Sequence, residues 1–357
     1  MKTKNIHRIA IIIIIIAVAL FLINLVAMTG FLVKQESQDK LTIGVILPFT
    51  GDFAFFGEEI RNGINLARQE LDIDYKIIYE DDESLSSVAA VKAANKLANF
   101  DNIDIAVTAI VDEAKPITHI FNNKKIPLLI VWDSNKYVYE YDYLFSTGFS
   151  TEKAGKKIAN FAYYDLNLRN IAIVSHNEAW AEIIYKSFQE KFESLGGKIV
   201  LHEKHDIPDK DYKGTILKIK NSKADGVYMP LIPPTSVNFM LQAEQLDLNK
   251  QLLAGDALIQ DAIGAAGSAA EDIYYTNTYV DDAEVLTEKY KEAYGSEPID
   301  ITMVSFGYNG LKTIAKAHEQ NPDGLRQGLY DVIGGKTLDK EERIYQVIDG
   351  KPVLVED

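Results

Sequence analysis

The chain has 357 residues, 47% of them hydrophobic, with no cysteine and a formal net charge of −15. The lack of cysteine excludes disulfide staples, thiolate metal centres and a cysteine nucleophile. Residues 1–40 carry five Lys/Arg against two Asp/Glu, leaving −18 on the remainder; this argues against nucleic acid, whose phosphates are gripped by clustered Lys and Arg, and reads first as a means of solubility, with attraction of cationic solutes as the alternative.

Residues 1–8 form a short basic segment with Lys2, Lys4 and Arg8, and the 25 residues from Ile9 to Val33 carry no charge. The apolar run Ile9–Met28, interrupted only by Asn24, is long enough for a hydrocarbon core of about 30 Å and longer than a secretory h-region of about 7–15 residues. The pattern predicts a transmembrane anchor over 9–33, its basic flank in the cytoplasm and everything after Lys34 outside. A cleaved signal is the alternative, although Val26-Ala27-Met28-Thr29-Gly30 fits the small-x-small cleavage pattern poorly. Leu25-Val26-Ala27-Met28 is similar to a lipobox in which Met replaces the essential Cys, so no lipid can be attached there. Residues 34–40 read as a linker.

From Leu41 onward short apolar runs alternate with amphipathic stretches, the signature of parallel strands buried on both faces and crossover helices. The predicted elements begin with a strand at Thr42–Leu47, a helix at Gly57–Leu71, a strand at Tyr75–Tyr79, a helix at Ser86–Ala98 and a strand at Ile103–Thr108. A short helix near Pro116, suited to a first turn, precedes a strand at Ile126–Val131. The alternation restarts with a helix at Thr151–Tyr164, a strand at Ile171–Val174, a helix at Ala179–Leu195 and a strand at Lys198–Leu201. It continues with a helix at Tyr212–Lys220, a strand at Gly226–Met229, a helix from Pro234 to Leu246, a strand at Gln251–Ala254 and a short helix after Leu258. A strand at Ile273–Asn277, helices at Asp282–Tyr294 and Ile301–His318, and a last strand at Tyr345–Ile348 complete the pattern.

Some three hundred residues exceed one ordinary core. The expected fold is α/β, with two doubly wound parallel-sheet lobes: 41–148 with 277–333, and 149–276 with 334–357. Strand-like crossovers near Thr147–Ser150, Thr276–Val280 and Gly334–Lys340 would form a hinge between them. Ligands of open parallel sheets bind beyond the carboxyl ends of the strands, which singles out the loops Pro48–Gly57, Ala109–Ala114, Trp132–Asn135, His176–Trp180, Pro230–Thr235 and Gly255–Leu258.

The run Ile43-Gly44-Val45-Ile46-Leu47-Pro48-Phe49-Thr50-Gly51, followed by Gly57 and Arg61-Asn62-Gly63-Ile64, resembles the start of type I periplasmic binding proteins of the leucine/isoleucine/valine group. Tyr79-Glu80-Asp81-Asp82, Ile126-Pro127-Leu128-Leu129 and the stretch Leu286–Tyr294 before Gly295 extend the resemblance over most of 41–320, while the end after Asp323 matches less clearly. The resemblance implies an amino-acid ligand between the lobes. Its carboxylate would be held by hydroxyls and backbone N–H groups of the first lobe, and its ammonium by a second-lobe acid at the position of Asp256. A carboxylate paired with an ammonium in a closed cleft makes a strong charge-assisted bond; an Asp that merely caps a loop or helix is the alternative.

The chain departs from that pattern at Ile110-Val111-Asp112-Glu113-Ala114, where the family usually places Ser or Thr. Asp112 would repel a ligand carboxylate, which favours a cationic or amide-like solute, unless Asp112 and Glu113 simply begin a helix whose dipole they complement. In Trp132-Asp133-Ser134-Asn135, Ser134 stands where the family's second hydroxyl is expected. The candidate ligand contacts are Phe56, Asp112, Asp133, Ser134, Trp180 and Asp256, with Phe55 and Trp132 as further cleft walls. Aromatic side chains at these loops suit a cage around a cation, or packing against their own helices.

Enzyme chemistry finds little support. Gly335-Lys336-Thr337 ends like a phosphate loop, but the required glycine five residues earlier is Tyr330, and no Gly-x-Ser-x-Gly elbow occurs. His202, His205 and Asp206 read as a solvated strand edge instead of a metal site, and Glu80-Asp81-Asp82-Glu83 lacks the spacing and glycine of a calcium loop. No cofactor or metal is expected. The resemblance implies a membrane-tethered extracytoplasmic solute-binding protein that serves an ATP-binding-cassette importer; a sensor ectodomain working with a separate signalling partner is the alternative.

Overall fold

In the computed structural model the described residues are 40–356 apart from 85, 208, 279 and 339–341. The expected anchor at 9–33 lies outside them; among the described residues no helix is long and apolar enough to cross a membrane. Lys40, Leu41 and Asp74–Lys76 belong to a small unit, in which Lys40 pairs with Asp74 and the Lys76 N–H bonds to the Leu41 carbonyl. The large unit comprises 42–73 and 77–356.

The large unit grows from β1 (Thr42–Leu47), whose residues from Ile43 onward are all buried, as a strand covered on both faces must be. Chain order continues with α1 (Ala54–Leu71), β2 (Lys76–Asp81), α2 (Ser87–Asn99), β3 (Ile105–Thr108), α3 (Val111–Lys124), β4 (Leu128–Ile130), β5 (Asp133–Ser134) and β6 (Leu144–Ser146). The first sheet has the order β2-β1-β3-β4-β6, with β1 parallel to β3 from Ile43↔Ile105 to Ile46↔Thr108. Its core joins Ile46, Leu97, Phe121 and Leu144, each fully buried.

After β7 (Phe149–Ser150), which pairs with β5, come α4 (Thr151–Tyr164), β8 (Asn170–His176), α5 (Ala179–Ser194), β9 (Lys198–His205), α6 (Lys213–Asn221), β10 (Gly226–Met229), α7 (Thr235–Gln245), β11 (Gln251–Ala254), α8 (Gln260–Ala266) and β12 (Tyr274–Thr278). Helices α9 (Ala283–Tyr294), α10 (Ile301–Gln320) and α11 (Leu325–Ile333) follow, then β13 (Glu342–Ile348) and β14 (Lys351–Glu356). The second sheet runs β14-β13-β12-β11-β10-β8-β9. Phe188 stacks on Tyr228 at 4.2 Å and on Phe192 at 5.4 Å in its core.

Several features differ from the sequence reading. The second sheet is mixed: β13 and β14 are antiparallel additions to a parallel set. They form a hairpin closed by Asp349 and Gly350, whose φ angles of 53° and 69° match the two-residue turn that the twist of a hairpin favours. Helix α11 was not predicted. Helix α3 begins at Val111, five residues before Pro116, because the Asp133 carboxylate accepts the Val111 N–H at 2.7 Å and so satisfies a first-turn donor.

Lys336–Leu338 lies along β6: the Ser146 N–H donates to the Lys336 carbonyl and the Leu338 N–H to the Ser146 carbonyl. The C-terminal helices return to the first sheet through a close crossing of α1 and α10. A Cβ at Gly63 would meet the Val304 carbonyl oxygen at 1.9 Å, and one at Gly307 would meet that of Ile60 at 1.9 Å. Backbone blocks both positions, so Gly63→Ala or Gly307→Ala should cost about 3 kcal/mol through forced separation of the helices. Gly264→Ala, exposed in α8 with nothing within 4 Å of its added carbon, should be neutral or slightly stabilising. Thermal denaturation of the three variants checks the contrast; equal melting temperatures would refute it.

Candidate functional site

A cavity of about 400 Å³ opens at the carboxyl ends of both sheets. From the first sheet come Pro48, Phe53 and Phe56 after β1, Ser84 and Ser87 after β2, Ala109, Ile110, Asp112 and Glu113 after β3, and Trp132 and Asp133 after β4. The second sheet contributes Glu178 and Trp180 after β8, Ile207 after β9, Ile232 after β10 and Ala257 after β11. All six loops singled out from the sequence supply wall residues. Ser84 and Ile207 lie on strand ends that were not singled out, because the limits of β2 and β9 were drawn too short.

The aromatic wall is continuous on one side. Phe56 lies 4.9 Å from Trp132 and 6.1 Å from Phe53, and Trp132 backs onto Phe306 at 6.1 Å. Phe55 lies tilted against Phe56, ring centroids 3.9 Å apart, but is not among the wall residues. Ser134 is buried in β5 beside Ser150 and also lies off the wall. Asp256 sits behind Trp180, 3% exposed, accepting the indole N–H at 3.1 Å. Asp112 and Glu113 stand in the first turn of α3 and also line the cavity.

Carboxylates dominate the polar surface. Asp112 pairs with Lys115 at 2.6 Å. Glu113 is buried; one oxygen accepts from the Thr108 hydroxyl at 2.8 Å and from the Ala109 N–H at 3.1 Å, while Oε1 has no partner among the described residues. Burial pushes its carboxyl well up, reinforced by the charge of Asp82. Burial also raises Asp133 to about 8, against the pull of the Val111 N–H and with help from Asp112 and Asp256. Glu178, which sequence reasoning missed, is raised to about 7 by burial and then by Asp112 and Asp206. Asp256 reaches about 7, burial outweighing the indole hydrogen bond. None of the wall residues is Lys, Arg or His, and no His/Asp/Glu cluster among the described residues is arranged to hold a metal.

The sequence profile of the periplasmic binding protein family matches residues 40–332. The chain belongs to this family. A "Leu/Ile/Val-binding protein homolog 2" of Brucella abortus is 24% identical over 309 residues, spanning 82% of this chain and 80% of its own. The branched-chain amino acid transporter substrate-binding protein LivJ of Streptococcus pneumoniae, solved with isoleucine, superposes with a TM-score of 0.80 at 20% identity, covering 89% of this chain and 100% of that one. An R. palustris ABC-transporter solute-binding protein solved with benzoate gives 0.78 at 20% identity, covering 89% and 96%. As a member of this family the chain is a binding protein for a small solute.

The raised carboxyls fix the sign of its pH dependence. Between about pH 4 and 8 the folded chain without ligand holds protons on Asp133, Asp256 and Glu178 that the unfolded chain has released, so stability falls as pH rises through the folded values near 7 and 8. Melting should therefore occur at a lower temperature at pH 8 than at pH 5.5. Asp133→Asn, which keeps an oxygen for the Val111 N–H, should shrink that difference by about 1 kcal/mol or more, the equivalent of one pKa unit. A wild-type chain that gains stability toward pH 8 would contradict the assignment.

Proposed function

We propose that this chain is a membrane-tethered, extracytoplasmic solute-binding protein that captures a small amino-acid-like, amide or cationic solute and delivers it to an ABC importer. The observation that carries the reading is the cavity at the strand ends of both sheets: a solute there contacts both halves at once and stabilises their closed arrangement. The halves are read as 41–148 with 277–333 and 149–276 with 334–357. The uncharged run 9–33 behind Lys2, Lys4 and Arg8 supports an anchor with the cytoplasmic side at its start.

Within this reading Phe56, Trp132 and Trp180 wall the solute, and Asp112, Asp133 and Glu178 set its charge preference. Asp256 acts by fixing the Trp180 indole, and Ser134 by supporting the strand that presents Asp133.

Two measurements test the reading. The full chain in detergent, screened by thermal shift against amino acids, amines and amides, should gain about 2.7 kcal/mol from a solute at a hundred times its Kd. Trp180→Ala should abolish that gain at the same concentration, and a response unchanged in this variant would remove the site. Separately, after alkaline washing of cell membranes the chain should stay in the pellet at full length; recovery of a shortened soluble form would dismiss the anchor.

A further inference from the structure

We infer that the cavity is built for an organic cation with an apolar body and no carboxylate, a small amine held by Glu178 and the acids of the α3 turn within an aromatic wall. The inference rests on the solute-binding reading above and names the solute's chemistry.

The first argument concerns donors. A ligand carboxylate needs free N–H groups, hydroxyls or cations, and around the loops after β1 and β3 this chain has engaged most of the first two itself, leaving the Ser87 hydroxyl on the wall. The Val111 N–H is taken by Asp133 at 2.7 Å and the Ala109 N–H and Thr108 hydroxyl by Glu113. In the loop after β1, the Phe49 and Thr50 N–H groups and the Thr50 hydroxyl all go to Asp81, and the Phe53 N–H to the Ser84 hydroxyl. Among the described residues the Lys ion-paired with a wall acid is Lys115, and it is spent on Asp112.

The second argument concerns acceptors. Glu113 is 5% exposed and lines the cavity with Oε1 unpartnered among the described residues. Glu178 lines it from the opposite sheet. The charge of Asp112 acts on Glu178 unfavourably, so a cation between them relieves a repulsion while gaining a charge-assisted hydrogen bond. An anion placed there meets the charge of Asp112 instead. The third argument is the wall itself: Phe53, Phe56, Trp132 and Trp180 line the cavity with aromatic rings of the kind that attract a cation, and about 400 Å³ suits a body of one ring or one branched chain.

The test uses matched pairs that differ in the carboxylate: 3-methylbutylamine against leucine, 2-phenylethylamine against phenylalanine, and benzylamine against benzoate. Calorimetric titration of the full chain in detergent should show binding by at least one amine, with its acid-bearing partner about tenfold weaker or more. Glu178→Gln should weaken the amine about tenfold or more without lowering the melting temperature of the unliganded protein. Binding of leucine, phenylalanine or benzoate as tight as the matching amine overturns the inference and leaves the solute-binding reading intact. Silence from all six overturns the inference alone, since the wider screen decides the other reading, and an unchanged amine affinity in Glu178→Gln removes its anchor.

Discussion

The bond from the Val111 N–H to the Asp133 carboxylate is the constraint on which the cavity depends. It ties the start of α3, after β3, to the short strand that follows β4, fixing two strand ends with one buried contact. Because it satisfies a first-turn donor, the helix can begin at Val111 and carry Asp112 and Glu113 to the wall. Proline at position 116 is then tolerated inside the second turn instead of marking the start. The same carboxylate occupies the Val111 amide, so local folding also settles which backbone groups remain free to face the cavity.

Around that bond the chain concentrates carboxyl groups in a place where water is scarce. Asp133 and Glu113 are buried on the wall, Asp256 is buried behind Trp180, and Glu178 faces them from the second sheet. Each is easier to keep neutral than charged while the cavity is without a cation, which is why all four titrate above the ordinary carboxylate range. The binding protein thus stores unfavourable electrostatics at its site and balances them with the apolar packing beneath both sheets.

Much of the parallel framework was legible in the sequence because its strands are continuous apolar runs: Ile43–Leu47, Gly226–Met229 and Gln251–Ala254 need only hydrophobicity and a following loop to be placed. The strand-end rule then reached the cavity loops without knowledge of side-chain direction. What escaped was short or long-range. Strand β6 has three residues, too few for a periodicity. The hairpin of β13 and β14 was announced by Asp349-Gly350, but its apolar alternation is diluted by charge. The placement of Asp256 behind Trp180 depends on a contact 76 residues apart in sequence, and Glu178 lay inside a flagged loop whose aromatic neighbour drew attention first.

The crossing of α1 and α10 joins Gly63 to Val304 and Gly307 to Ile60. The first sheet therefore cannot acquire its full helical cover until residues near 320 are available. During synthesis or passage across a membrane, the leading half emerges with one face of its sheet uncovered and must wait for most of the chain. Assembly is a whole-chain event with slow, long-range closure, and a truncation before α10 would leave an incomplete first half instead of an independent module.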